Sequence, residues 1–333
     1  RDLKAQWFPQ VESGTLAFTK DNDQILYALN AIDSGEAVGP LLKLYTGGTL
    51  TPEQQRKALN DLAKHGDAPA LGKVVAHILA ANTQAVAQRA DHLNHVLNTS
   101  KRRGVKPTTD LAGLDALIKD NKNALGNAAI RAAGQWGVEA LRPTLTALAQ
   151  SSDTPTGTRT TAINALAALG GEATITLLDQ LAGTGNDMGI RTTATIALLQ
   201  VSVENAATQA VVVLTDMTDQ NPAPLYQAFL KAEGAPAALT KALAGATIKS
   251  EIAKLGEHAL SSSGRKEDEL LLALSIAGGL GEGQAELTEA EMAVLVNKVQ
   301  TQGDAARGRK HFRSLGCVQC HAITGAGGNL GPD

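Results

Sequence analysis

From the start of the chain to about residue 300, apolar residues recur at spacings of three and four. Turn residues interrupt them about every 12–20 positions. Leu141, Leu145 and Leu148 form one such stripe, and Ile175, Leu178 and Leu181 form another. A period near 3.6 places each set on one face of a helix. No convincing strand alternation is present in this region. The pattern predicts an all-α fold built as helix after helix.

The helices also repeat. Ala129-Ile130-Arg131-Ala132 through Trp136-Gly137-Val138-Glu139-Ala140 aligns with Ala162-Ile163-Asn164-Ala165 through Leu169-Gly170-Gly171-Glu172-Ala173. The offset, from Gly137 to Gly170, is 33 residues. A third copy runs from Ala194 through Val201-Ser202-Val203-Glu204, with Glu204 lying 32 residues after Glu172. A weaker copy, Ala28-Leu29-Asn30-Ala31-Ile32 before Gly35-Glu36-Ala37, lies near the start. Such a period means one helix pair per unit, stacked on its neighbours to bury a shared core. Gly at the inter-helix turn suits a left-handed C-cap. The units resemble HEAT repeats in pattern and length.

The expected organisation is a HEAT-like α-solenoid over residues 1–300, followed by a different segment over 301–333. Asn98 through Pro107 reads as a polar, basic loop, in which Lys101, Arg102 and Arg103 keep the chain solvated. Ser261 through Lys266 reads as a second break. Glu267–Ala277 and Thr288–Val299 read as two further helices, the second with Thr288 as N-cap.

Composition adds bounds. Of the 333 residues 43% are hydrophobic and 19% charged, as in ordinary globular proteins. Only 3% are aromatic, so the core is built from Ala, Leu, Val and Ile, which suits close-packed helices. A net charge of −3 argues against a general nucleic-acid binder. No apolar run reaches the roughly 20 residues that span a bilayer, so no transmembrane segment is expected. The first residue is Arg1, and no charged-then-apolar leader follows it. That start accords with a removed signal peptide or with a cut end.

The chain holds two cysteines, three positions apart, so no disulfide framework is available. They lie in Cys317-Val318-Gln319-Cys320-His321, the attachment pattern of a c-type haem. Each thiol can add across one vinyl group of the porphyrin, and the adjacent His321 can then give its imidazole to the iron. Before the motif, Gly303-Asp304-Ala305-Ala306-Arg307-Gly308-Arg309-Lys310-His311-Phe312 reads as a helix with Asp304 as N-cap. Gly308, Phe312 and Leu315 share one face of it. After the motif comes a Gly-rich segment, Gly325 through Asp333.

This stretch resembles the first half of a class I cytochrome c. Gly303, Asp304, Gly308, Phe312, Cys317, Cys320, His321, Gly331 and Pro332 match that family in order. The resemblance implies that Gly308 lets this helix cross a later one and that Phe312 lies beside the haem. It also implies that the Pro332 carbonyl accepts from His321 Nδ1, which fixes the tautomer and makes the ligand more basic. A HEAT-like array followed by this segment resembles the PVC-type haem-binding proteins. In that family a sugar-dehydrogenase-like propeller often precedes the repeats. No propeller is present here, so dehydrogenase activity does not carry over.

Two other chemistries use a cysteine pair at this spacing. A thioredoxin-like redox pair needs a strand-to-helix junction, and none is evident. A closed zinc site needs four ligands, and His321 would make only three. The expected cofactor is therefore one covalent haem c per chain, with His321 as its metal ligand. Its sixth ligand is not evident. It is expected after Asp333, with a partner chain or five-coordinate iron as the other choices. Met188, Met217 and Met292 are expected to pack in the helical core.

His92 and His95 follow Asp91 at a spacing that shares one helix face. A solvated or capping role is expected, since no Cys or Glu completes a metal site. His65, His77 and His258 are isolated and expected to be structural. Arg307, Arg309, Lys310, His311 and Arg313 make the helix before the motif basic. They form either a docking patch for an acidic redox partner or simply a wet helix face.

The functional expectation is a c-type cytochrome that transfers electrons, held by its repeats to a redox partner protein: a sugar or alcohol dehydrogenase donor, or a cytochrome acceptor. The alternative is a non-redox interaction scaffold with a vestigial haem segment. No catalytic site is legible, so the chain is at most the electron-transfer part of an oxidoreductase. Covalent haem attachment in the c-type family implies a periplasmic or otherwise extracytoplasmic location.

Overall fold

A computed structural model describes residues 4–13, 22–80, 85–120, 123–218, 220–280, 289–319, 321–323 and 326–327. The chain divides into two compact units, Arg1–Leu169 and Gly170–Asp333. In the first unit the helices are α1 (Lys4–Ser13), α2 (Asn22–Asn30), α3 (Val38–Thr46), α4 (Pro52–His65), α5 (Ala68–Ala80), α6 (Val86–Arg103), α7 (Gly113–Lys119), α8 (Ala124–Gln135), α9 (Arg142–Gln150) and α10 (Thr156–Leu169). In the second they are α11 (Glu172–Ala182), α12 (Met188–Leu198), α13 (Val203–Asp216), α14 (Ala223–Lys231), α15 (Ala235–Ala242), α16 (Ser250–Ser263), α17 (Asp268–Ala277), α18 (Glu289–Gln302) and α19 (Ala305–Ser314). The all-α fold read from the sequence is the fold observed.

Each unit is a two-layered stack. In the first, α3, α5, α7 and α9 pack in succession as one layer, and α4, α6, α8 and α10 as the other. In the second, α11, α13, α15 and α17 form one layer and α12, α14 and α16 the other. This is solenoid packing: the helices of the two layers bury their apolar faces against neighbouring helices of the stack.

Small residues set the spacing. A Cβ at Gly134 of α8 would lie 2.5 Å from the Ala165 Cα of α10. Ala128, Ala129, Ala132 and Ala133 on α8, with Ala162 and Ala165 on α10, are all buried. The two backbones therefore approach more closely than larger side chains would permit. Trp136 fills the end of α8, buried, with its indole N–H 3.4 Å from Ser100 Oγ.

A repeated arginine ties helix pairs together. Arg89, on the first turn of α6, donates to the Ile78 and Leu79 carbonyls at the end of α5 (2.9 and 2.8 Å). Arg159, at the same place on α10, donates to Ala149 at the end of α9 (3.2 Å). Arg191, on α12, donates to Ala182 at the end of α11 (3.0 Å), and its other nitrogen reaches Asp216 Oδ2 at 2.6 Å. All three side chains are buried. The last carbonyls of a helix have no partner within it, and a buried guanidinium meets that need.

Four expectations are corrected. Asn98–Arg103 is the last part of α6, and the chain turns only at Gly104, whose φ is 65°. Leu97, Thr99 and Ser100 continue the buried face, and three cations suit a helix C-terminus. Arg103 does more than solvate: it donates to the Ala63 and Gly66 carbonyls, both at 2.8 Å. Ser261–Ser263 belong to α16, and the break begins at Gly264 (φ 69°).

The third correction is His92, which is buried, with Nδ1 3.0 Å from the Tyr45 hydroxyl. The His77 ring also packs edge-on against Tyr45. The fourth is Met292, which is 47% exposed on α18, a helix exposed at every described side chain. Met217 is buried as expected, and Met188 is half-buried in the first turn of α12. The expected N-cap Thr288 lies outside the described residues.

Candidate haem-attachment site

The segment after α18 builds the site. Asp304 caps α19, accepting from the Ala306 and Arg307 amides at 2.9 and 3.0 Å. Those amides, Arg307's first, hold its carboxyl below the ordinary range. Along α19, Arg307, Arg309, Lys310 and Arg313 are exposed, while His311 and Phe312 are half-buried. A Cβ at Gly308 would meet nothing within 4 Å. Among the described residues, the helix crossing implied by the cytochrome resemblance has no counterpart there.

Gly316 then turns the chain with a φ of 78°, a conformation that favours glycine. Cys317–Gln319 form a 3₁₀ turn. The His321 amide donates to the Cys317 carbonyl at 2.9 Å, closing a further turn. Cys317 is a free, exposed thiol, and His321 is exposed. The His321 imidazole has no hydrogen-bond or ion-pair partner among the described residues. Ala322–Ile323 and Ala326–Gly327 pair as a short antiparallel ladder that the alternation pattern did not announce. Cys320, Gly331 and Pro332 lie outside the described residues.

Cys317 and His321 open onto one cleft of about 260 Å³. Leu315 and Gly316 continue their wall. Leu255, His258, Ala259 and Ser262 of α16 face them, with Asn221, Ala223 and Gln227 at the margin. Residues 255, 258, 259 and 262 have helical spacing, so one stripe of α16 forms the wall. The arrangement places a free thiol, a free imidazole and an apolar surface together. His258, read from sequence as isolated and structural, is exposed on this stripe. Nothing in its own sequence neighbourhood signals that placement, because the cleft joins segments nearly 60 residues apart.

The donor set suits covalent haem: a thiol that no other group occupies, and an imidazole one turn away. Among the described residues, no group of three or more His, Cys, Asp or Glu is placed to hold a bare metal ion. A larger cavity, about 630 Å³, is lined by Asp23, Tyr27, Asn30, Lys57 and Asp61 in the first unit. It contains none of the motif residues.

Among the described residues no helix is long and apolar enough to cross a membrane. Comparison with curated proteins finds no match. Residues 112–199 match the family model of HEAT repeats, so this part of the chain is a helical-repeat scaffold of the kind that engages proteins.

Proposed function

We propose that this chain is a c-type cytochrome that carries electrons for a partner protein held on its helical repeats. The observation that carries the reading is the placement of Cys317 and His321. Both lie within one turn after Gly316 and line the same cleft, with neither side chain engaged elsewhere among the described residues. Haem, when bound, supplies an iron centre that cycles between ferric and ferrous states.

The residues of this chain would do the rest. The Cys317 and Cys320 thiols would hold the haem through thioether bonds, each sulfur bonding to a vinyl carbon and the thiol proton going to the neighbouring carbon. His321 would hold the iron through its imidazole nitrogen, and Leu255, Ala259 and Leu315 would give the group part of an apolar wall. Pro332 would accept from His321 Nδ1, and Phe312 would back the ring, as the cytochrome c resemblance implies. The exposed cations of α19 offer an acidic partner a docking face next to the cofactor. The resemblance to PVC-type haem-binding proteins supports a dehydrogenase as donor or a cytochrome as acceptor. It also supports a periplasmic or other extracytoplasmic location.

The test is the intact mass of the protein purified from its source, with oxidised and reduced visible spectra. One haem that survives denaturation, with sharp reduced bands, supports the reading. A mass equal to the bare chain, without a Soret band, ends it. The second reading is a non-redox scaffold, which the HEAT match over residues 112–199 favours. It requires partner binding that persists when residues 303–333 are removed from protein lacking haem.

A further inference from the structure

We infer that the cavity between α2 and α4, at the start of the repeat stack, is a pocket for a basic side chain, an arginine above all, presented by a partner protein. This rests on the reading of the repeats as a partner-binding scaffold and is independent of the haem.

Size and lining carry the inference together. The cavity, at about 630 Å³, falls within the roughly 300–1,000 Å³ of ordinary ligand pockets. Asp23, Tyr27 and Asn30 reach it from one face of α2, and Lys57 and Asp61 from one face of α4. The Tyr27 ring is 80% exposed, although Ile25, Leu26 and Leu29 of the same helix are buried. A large ring left uncovered on a cavity wall offers its negative face to a cation, and a planar guanidinium stacks well there.

The two carboxylates suit the same guest. Asn30 Nδ2 donates to both oxygens of Asp61, at 2.9 and 2.8 Å, which holds that carboxylate in place. A carboxylate has about four lone-pair sites, so Asp61 can still accept from a forked donor. Asp23 faces Lys57 at 3.7 Å, but that ammonium lies nearer Glu53, at 3.0 Å. A guanidinium entering the cavity takes over Asp23, while Lys57 stays with Glu53.

Neighbouring helices of the same layer show what joins them elsewhere. Arg56 and Asp91 bridge α4 and α6 at 3.1 Å. Arg131 of α8 donates to Asn94 Oδ1 of α6 at 2.6 Å. Among the described residues, no arginine lines the cavity between α2 and α4, where the cation is Lys57, a point charge without the planar fork. An arginine from another protein would supply there what Arg56 and Arg131 supply at the next two helix pairs.

The experiment titrates the full, isotope-labelled chain with N-acetyl-arginine methylamide and follows the backbone amides by nuclear magnetic resonance. Amides around Tyr27 and Asp61 should shift in a saturable way, and binding should weaken as salt rises. The citrulline analogue, of the same shape but uncharged, should not bind, and the lysine analogue should bind more weakly. Tyr27→Leu should weaken binding about two- to fivefold, and Asp61→Asn about fivefold or more. Asp153→Asn, outside the cavity, should change nothing. Lys57→Gln removes the competing cation and should tighten binding, a gain that misfolding cannot produce. Shifts that do not saturate or that fall elsewhere on the chain overturn the inference. So does equal binding of the citrulline analogue, or unchanged affinity in both Asp61→Asn and Lys57→Gln. None of these results bears on covalent haem, and a bare-chain mass, which ends the cytochrome reading, leaves the pocket standing.

Discussion

The His321 amide and the Cys317 carbonyl are joined by a 2.9 Å hydrogen bond, and the two side chains share one cleft. That single turn gathers thiol and imidazole without help from the hydrophobic core. Chemistry at the motif and stability of the array should therefore be separable.

Replacing Cys317 and Cys320 together by alanine tests the separation. Covalent haem should be lost, while far-ultraviolet circular dichroism and the melting of the helical array stay near wild type. Cys317 is exposed, so its removal leaves no cavity. A collapse of helicity would show that attachment and array folding are coupled.

Arg191→Ala should destabilise the second unit by about 2–3 kcal/mol, since it removes charge-assisted bonds to Ala182 and Asp216 from a buried position. Asp216→Asn should cost less than about 1 kcal/mol, because that carboxylate is 38% exposed and water screens the pair. Urea denaturation of both variants checks the ranking.

Gly134→Val should cost about 1–3 kcal/mol by overpacking, because the added Cβ would meet backbone atoms of Ala165 rather than a mobile side chain. Gly308→Ala, with open space around it, should be near neutral or slightly stabilising. Thermal melts of the pair measure the contrast.

The first unit should weaken in mild acid. Desolvation lowers the affinity of His92, His95 and His77 for protons in the folded state. Below the unfolded imidazole value of about 6.5 the unfolded chain binds more protons, so stability rises with pH there and falls as pH drops. One fully depressed imidazole contributes at most about 1.4 kcal/mol per pH unit. His92→Phe should flatten this dependence. It should also cost about 1–3 kcal/mol at pH 8 by stranding the buried Tyr45 hydroxyl. Denaturation from pH 5 to 8 reads both effects.

Much of this was legible in the chain itself. The three-and-four spacing gave the helices, and the 32–33-residue offset marked the repeat units. Asp304 as a cap followed from its residue type and position. The arginine device was partly readable too: Arg159 and Arg191 share the repeat offset of 32, although their carbonyl partners become evident only in three dimensions.

What escaped the sequence depended on tertiary contacts. Asn98–Arg103 looks like loop because its residues are polar, yet Ser100 and Thr99 are buried against neighbouring helices. His92 looks solvated beside Asp91, yet Tyr45, 47 residues earlier, covers it. His258 looks isolated because the cleft that gives it meaning is assembled from distant segments.

Trp136, buried at the end of α8, has one more consequence. The chain's two tryptophans are Trp7 and Trp136, both within residues 1–169. Their emission reports only the first unit during unfolding, whereas circular dichroism weighs both. Overlapping transitions by the two probes would mean that the array melts as one cooperative body. Separated transitions would mean that each unit keeps its own stability, with the fluorescent half read independently of the half that bears the motif.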